Sequence, residues 1–303
     1  MSALHQPSLT AAMPLQHRFR AMGTDVLLLL DAPHSEESTA ALLDAEQELH
    51  RLAQVFTRFD EHSELRRLEH DRVRICSAEL VEVIELAIDA RQRSAGRFDP
   101  TVLPALRAVG YDRTFDDVAA APRTADAPVP AGGGVHVNAT TGLVALSTGT
   151  ALDLGGIAKG WIVDRIAERL AITAPALVDA GGDITCTLRA DGSPWSVDVD
   201  GADLRISLAA GAIATSGTDR RRWSDPATGR VRHHVIDPRT GTSVDSDLTG
   251  VTTIAASCAE AEVAATSILV AGSSDAPTVA QRFAAAWRGT RHDGSTLGSP
   301  ELA

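Results

Sequence analysis

One lysine, one tyrosine and three cysteines are all that 303 residues contain of those types, and aromatic side chains make up 4% of the chain. The cysteines, Cys76, Cys186 and Cys258, are odd in number and share no CxxC spacing. That pattern argues against a disulfide framework or a thiolate zinc site and fits a reducing compartment. Positive charge is scarce too: 28 Lys and Arg stand against 40 Asp and Glu, a net charge of −12. With no basic stripe interleaved with aromatics, nucleic acid is not an expected partner. No apolar run has the length of a bilayer span. The opening stretch, MSALHQPSLTAAMPLQHRFRAMG, shows neither a cationic start with an apolar core nor a cysteine for lipid attachment, so a cytoplasmic location is expected.

What is present is ample apolar sequence, 44%, enough for the core of one large domain or two small ones. We expect a mobile leader over 1–18, a folded unit over 19–288 and a tail over 289–303. Residues 26–30 read as a buried strand that stops at Asp31-Ala-Pro. Ser35 is placed to N-cap a helix whose Leu42, Leu49, Leu52 and Phe56 recur near helical spacing, and a second helix is expected over 77–93. Residues 116–134, rich in Ala, Pro and Gly, read as a long loop where a subdomain boundary can fall. Beyond it, strands are expected over 135–137, 143–146, 195–199, 204–208 and 251–255, with helices over 158–170, 258–270 and 275–287. The lack of regular βαβ repetition predicts an α+β fold, and no internal repeat is visible.

Four segments carry chemistry. In Leu152-Asp-Leu-Gly-Gly-Ile-Ala-Lys-Gly160, a glycine turn leads into a helix, so backbone amides and the chain's only ammonium, Lys159, can cradle an anion. The spacing is neither GxGxxG nor a Walker A loop. An ordinary turn before a core helix reads the same way, and codon bias alone can leave one lysine behind. In Ala176-Leu-Val-Asp-Ala-Gly-Gly-Asp-Ile-Thr185, Asp183 follows a double glycine, either facing a ligand or bonding local backbone in a hairpin. Ala214-Thr-Ser-Gly217, Arg220 to Arg222 and His233-His-Val-Ile-Asp-Pro-Arg-Thr-Gly241 concentrate positive charge in an acidic chain, as a pyrophosphate ligand would require. Glu262 and Thr266, four apart, share one helix face and offer oxygens to a hard cation, a spacing that also occurs by chance.

Taken in order, these motifs, with Phe19-Arg-Ala-Met-Gly-Thr24 and Gly96-Arg-Phe-Asp-Pro-Thr101, resemble the ApbE family of FAD:protein FMN transferases, and the resemblance runs from Phe19 to Gly272. It implies an ApbE-like fold, with mixed or antiparallel sheets flanked by helices and an FAD cleft between two closely packed halves. Met22, Gly23, Thr24, Phe98, Asp99, Thr101, Lys159, Asp183, Ser216 and Gly217 are implied to line that cleft. The carbonyl of Ala158 is implied to hold Mg2+ together with Glu262 and Thr266. His234 and Asp237 match the family's residues near the reacting phosphates. Glu262 departs from the family pattern, which usually carries Asp there.

The expected reaction is attack of a target Thr or Ser hydroxyl on the FMN-side phosphorus of FAD, with AMP leaving. His234 is the first candidate for the base, and Asp237 an orienting or alternative one. Two alternatives remain open: an FAD pyrophosphatase that uses water at the same site, and a protein that binds FAD without catalysis.

Overall fold

A computed structural model describes residues 13–199 and 204–302 of the chain. Its central sheet has eight strands: β1 (Leu15–Ala21), β2 (Thr24–Leu30), β3 (Ala176–Ala180), β4 (Asp183–Cys186), β5 (Gly211–Gly217), β6 (Leu248–Ala255), β7 (Ala286–Arg291) and β8 (Thr296–Gly298). They lie side by side in chain order, and every neighbouring pair is antiparallel. Helices enter as long insertions between neighbouring strands and not as βαβ crossovers, so the fold is α+β.

The sheet is covered on both faces, which explains the unbroken apolar run of β2. Val26, Leu28 and Leu30 point into the large core beneath the helices, while Leu29 packs with the cluster on the opposite face. The first face is closed by α1 (Glu36–Phe56), whose Leu42, Leu49, Leu52 and Phe56 are buried. Ser35 caps it, accepting from Ser38 N–H in a capping box. Helices α2 (Glu64–Asp71) and α3 (Ala78–Arg93) follow, the latter capped by Ser77. Next come α4 (Leu103–Ala108) and α5 (Phe115–Ala120), then α6 (Ala158–Ala171), α7 (Cys258–Ala271) and α8 (Ala276–Arg282). Helix α7 is apolar almost all round because it lies against β5 and β6 and touches α6 and α8. A smaller core, built on Leu103, Leu106, Tyr111, Val118, Trp223 and Ile236, stands beside the main one.

Several expectations need correction. β1 begins at Leu15, so the end of the expected leader is sheet, while residues 1–12 lie outside the described residues. Its LQHRFRA alternates apolar and polar positions, as a half-buried edge strand does. The expected tail at 289–303 completes β7 and supplies β8, and Leu302 is buried in the far-face cluster. The helix expected over 275–287 stops at Arg282; Ala284 turns the chain with a φ of 48°, and Trp287 enters the core from β7. The 116–134 loop begins inside α5, and α2 is an element the sequence reading lacked.

Candidate functional site

Two hairpin turns frame the site. Met22-Gly23 joins β1 to β2 and Gly181-Gly182 joins β3 to β4, and all four residues have positive φ, from 52° to 96°. Two-residue loops of this kind match the twist of the flanking strands. Because β2 pairs with β3 the turns abut, and a Cβ on Gly181 would collide with the Thr24 hydroxyl.

Against these turns lies a charged wall. Lys159, in the first turn of α6, forms an ion pair with Asp183 of β4, and its Nζ is 3.7 Å from Glu262 Oε1 on α7. Glu262 Oε2 accepts the Gly160 N–H at 3.0 Å. Burial pushes the Glu262 carboxyl above its ordinary range, and the Lys159 ammonium pulls it back. One turn further along α7, Thr266 Oγ1 lies 2.8 Å from Ser216 Oγ of β5.

The opposite wall comes from loops and the smaller core. Arg58 Nε is 2.7 Å from Asp153 Oδ2, with both side chains largely buried. The guanidinium lies 4.2 Å from the Phe59 ring centre and 4.4 Å from that of Tyr111. Its Nη1 donates to the Tyr111 carbonyl at 3.1 Å, while Nη2 is buried without a partner among the described residues. Asp153 Oδ1 accepts the Gly155 N–H at 2.8 Å, which tightens the turn before α6. On this wall His234 keeps its Nδ1 buried and, among the described residues, unpaired. Burial, followed by the charges of Arg221 and His233, pushes its pKa down to about 3, so the imidazole is neutral at pH 7.

Both walls enclose one cavity of about 400 Å³. Gly23, Thr24, Phe98, Asp99, Lys159, Asp183, Ser216, Gly217, His234, Glu262 and Thr266 all line it. Four sequence candidates do not. Met22 has its side chain against the main core, and Ala158 is buried at the start of α6. Thr101 donates to Asp99 and accepts the Gly132 and Gly133 amides, bracing the loop before residue 135. Asp237 is engaged by Arg239 through its backbone N–H, Nε and Nη2, and so does not orient His234 from the cavity side. Asp99 reaches the cavity but is held by Arg91 at 2.9 Å.

The mouth of α6 also differs from an open anion cradle. Its Gly160 N–H goes to Glu262 and its Ala158 N–H to the Leu154 carbonyl. Asp183 bonds Lys159, and it is Asp179 that accepts the local Gly182 N–H. The sequence reading missed Arg58, Phe59, Tyr111 and Asp153. The available signals were the single tyrosine and an aspartate inside the glycine motif.

Glu262, Thr266, Ser216 and Asp183 offer carboxylate and hydroxyl oxygens, the donors a hard divalent ion takes. Among the described residues no group of three His, Cys, Asp or Glu forms a ready cage. The oxygens of Glu262, Thr266, Ser216 and Asp183 fit Mg2+, an ion that draws its remaining ligands from water and phosphate.

Comparison with known proteins places this geometry. The ApbE family profile matches residues 22–287. The chain is 35% identical over 141 residues to a Vibrio cholerae FAD:protein FMN transferase, covering 43% of this chain and 41% of that protein. It is 27% identical to the Chlamydia pneumoniae FAD:protein FMN transferase over 73% of each chain. The ApbE protein of Thermotoga maritima superposes with a TM-score of 0.79 at 24% identity, covering 95% of this chain and 97% of that one, a likeness of fold. With the family profile spanning both hairpin turns, the charged wall and the His234 loop, the chain belongs to the ApbE family.

Proposed function

We propose that this chain is an FAD:protein FMN transferase that moves the FMN half of FAD to a Thr or Ser hydroxyl of a target flavoprotein and releases AMP. One observation carries the reading: a single cavity gathers the only lysine, the carboxylates of Asp183 and Glu262, the hydroxyls of Ser216 and Thr266, and a neutral imidazole. The names of the Vibrio and Chlamydia relatives point the same way.

In this reading the target oxygen forms a bond to the FMN phosphorus as the bridging P–O bond breaks, and AMP departs with the bridging oxygen. Lys159 offers its ammonium to the pyrophosphate beside the mouth of α6, a role in which a comparable preorganised donor is worth roughly 2.7–4 kcal/mol in acyl transfer. His234, neutral before substrate arrives, accepts the hydroxyl proton. The anionic phosphates raise its affinity for that proton by supplying the charge that Arg221 and burial withhold. Glu262 and Thr266 would hold Mg2+, which when bound would supply charge neutralisation at the phosphate oxygens. Arg58, Phe59 and Tyr111 bring a guanidinium and two tilted rings to the cavity wall, against which an aromatic ring of the substrate can pack.

The test is incubation with FAD, Mg2+ and a flavin-carrying acceptor, followed by denaturing-gel fluorescence and AMP analysis. Label on the acceptor with matching AMP supports transfer. Free FMN and AMP without label would make the chain a pyrophosphatase, and intact bound FAD a carrier.

A further inference from the structure

Helices α6 and α7 cap each other. The N-cap residue of α6, Ile157, provides no side-chain cap, and the Gly160 N–H is taken by Glu262 of α7. In return Asp164 of α6 takes the first two amides of α7, Cys258 N–H to Oδ1 at 2.8 Å and Ala259 N–H to Oδ2 at 3.0 Å. Ser257 accepts the third, Glu260 N–H, at 3.3 Å. Such amides have no partner within their own helix, and here two of the three are satisfied from a different one. Asp164 Oδ1 also accepts the Thr185 hydroxyl of β4 at 2.5 Å. The carboxylate sits at the positive end of the α7 dipole. Gly160 permits the approach, since a Cβ there would fall 2.6 Å from the Cys258 carbonyl.

We infer that Asp164 is a positioning residue that sets α7 against α6 and β4, so that Glu262 and Thr266 meet Lys159 and Asp183 in register. A cap from Ser257 alone would stabilise α7 without fixing where it lies. A cap from α6 ties the two helices together, and the bond to Thr185 adds the strand that carries Asp183. All three elements of the charged wall thus meet at one carboxylate. The kinetic part of the inference rests on the flavin-transfer reading; the structural part does not.

The experiment compares Asp164→Ala, Asp164→Asn and Leu170→Ala, the last a buried residue at the far end of α6. Hydrogen exchange is read first, without ligand. In Asp164→Ala we expect the Gly160 amide, capped from α7, to exchange faster by about tenfold together with those of Cys258 and Ala259. AMP release should fall by roughly ten- to a hundredfold in kcat, because an ångström of misplacement can cost about 10²-fold. The Mg2+ concentration for half-maximal rate should rise, while FAD affinity by flavin fluorescence stays within about twofold. Asp164→Asn, which keeps one acceptor oxygen, should recover most of the rate. If only the α7 amides speed up, or if Leu170→Ala reproduces the whole pattern at equal loss of Tm, Asp164 is a stabiliser and the inference falls. Should Asp164→Ala not fold, the same exchange comparison at Gly160 in Asp164→Asn decides. A parent that neither releases AMP nor labels an acceptor refutes the transfer reading alone, since the exchange result is independent of it.

Discussion

The two walls of the cavity are built in different ways. The charged wall is a set of short motifs on regular elements: Asp183 after a glycine turn, Lys159 in the first turn of α6, Glu262 and Thr266 one turn apart within α7. The opposite wall brings Arg58 from the end of α1 against Asp153 before α6, Tyr111 after α4 and His234 between two short strands. The first wall holds its charges on rigid elements that cap one another. The second holds one buried ion pair and two rings by packing around a small separate core. Substitutions on the charged wall should therefore strike the chemistry, and those on the other wall the fold and the grip on the ligand. His234, the proposed base, is the exception, carried by the second wall.

That exception is the sharpest test. His234→Gln should slow AMP release by about 10²- to 10⁴-fold, the usual contribution of a general base, while FAD affinity by flavin fluorescence changes little. An equal loss of affinity and rate would make His234 a binding residue, and the division between the walls would then be complete.

On the second wall, Arg58→Met should lower stability by roughly 3–5 kcal/mol, because Asp153 is left charged and buried. The double variant with Asp153→Asn should lose less than the sum, as read from urea midpoints. A loss under about 1 kcal/mol in the single variant would put this pair among ordinary surface pairs.

Acid should expose His234 again. Its folded pKa, about 3, lies below the ordinary 6.5, so the folded state binds fewer protons between those values. The contribution is fully present above pH 6.5 and is lost as pH falls through 3. From pH 6.5 to 5 this removes at most about 2 kcal/mol, at 1.36 kcal/mol per unit. Urea titrations at the two pH values should show a smaller difference in His234→Gln than in the parent, and equal slopes would contradict the burial argument.

Glu262 probes the charged wall more gently. Glu262→Asp retains a carboxylate for Mg2+ but is one methylene short of Gly160 N–H, so it should cost about 1 kcal/mol of stability, like other lost caps. Its Mg2+-dependent AMP release should persist, whereas Glu262→Ala should lose that dependence. If Glu262→Ala responds to Mg2+ like the parent, the ion is held elsewhere.

The smallest effect on stability is expected at Phe59, which is 46% exposed at the cavity edge. Phe59→Ser should change the unfolding free energy by no more than about 0.5 kcal/mol. It should weaken FAD binding roughly two- to tenfold if the ring stacks on the ligand. Unaltered FAD affinity would remove the stacking surface from the second wall.

Sequence alone determined the parts that depend on near neighbours. The Ser35 cap, the spacing of Leu42, Leu49 and Leu52, and the unbroken run of β2 each follow from local propensity and periodicity. The Gly181-Gly182 turn was legible as well, since glycine accepts positive φ at both positions. Tertiary structure decided what those pieces face. Asp237 and Thr101 carry suitable chemistry in suitable motifs, yet Arg239 and the 132–133 amides occupy them. The first-turn amides of α6 were expected to meet an anion, but Gly160 N–H meets Glu262, because α7 passes close enough for its longer side chain to reach. Arg58 and Asp153 lie far apart in the chain, and neither has a local pattern that names the other. A buried charge finds its partner only when packing removes water from both, and that depends on the assembled walls and not on the order of residues along the chain.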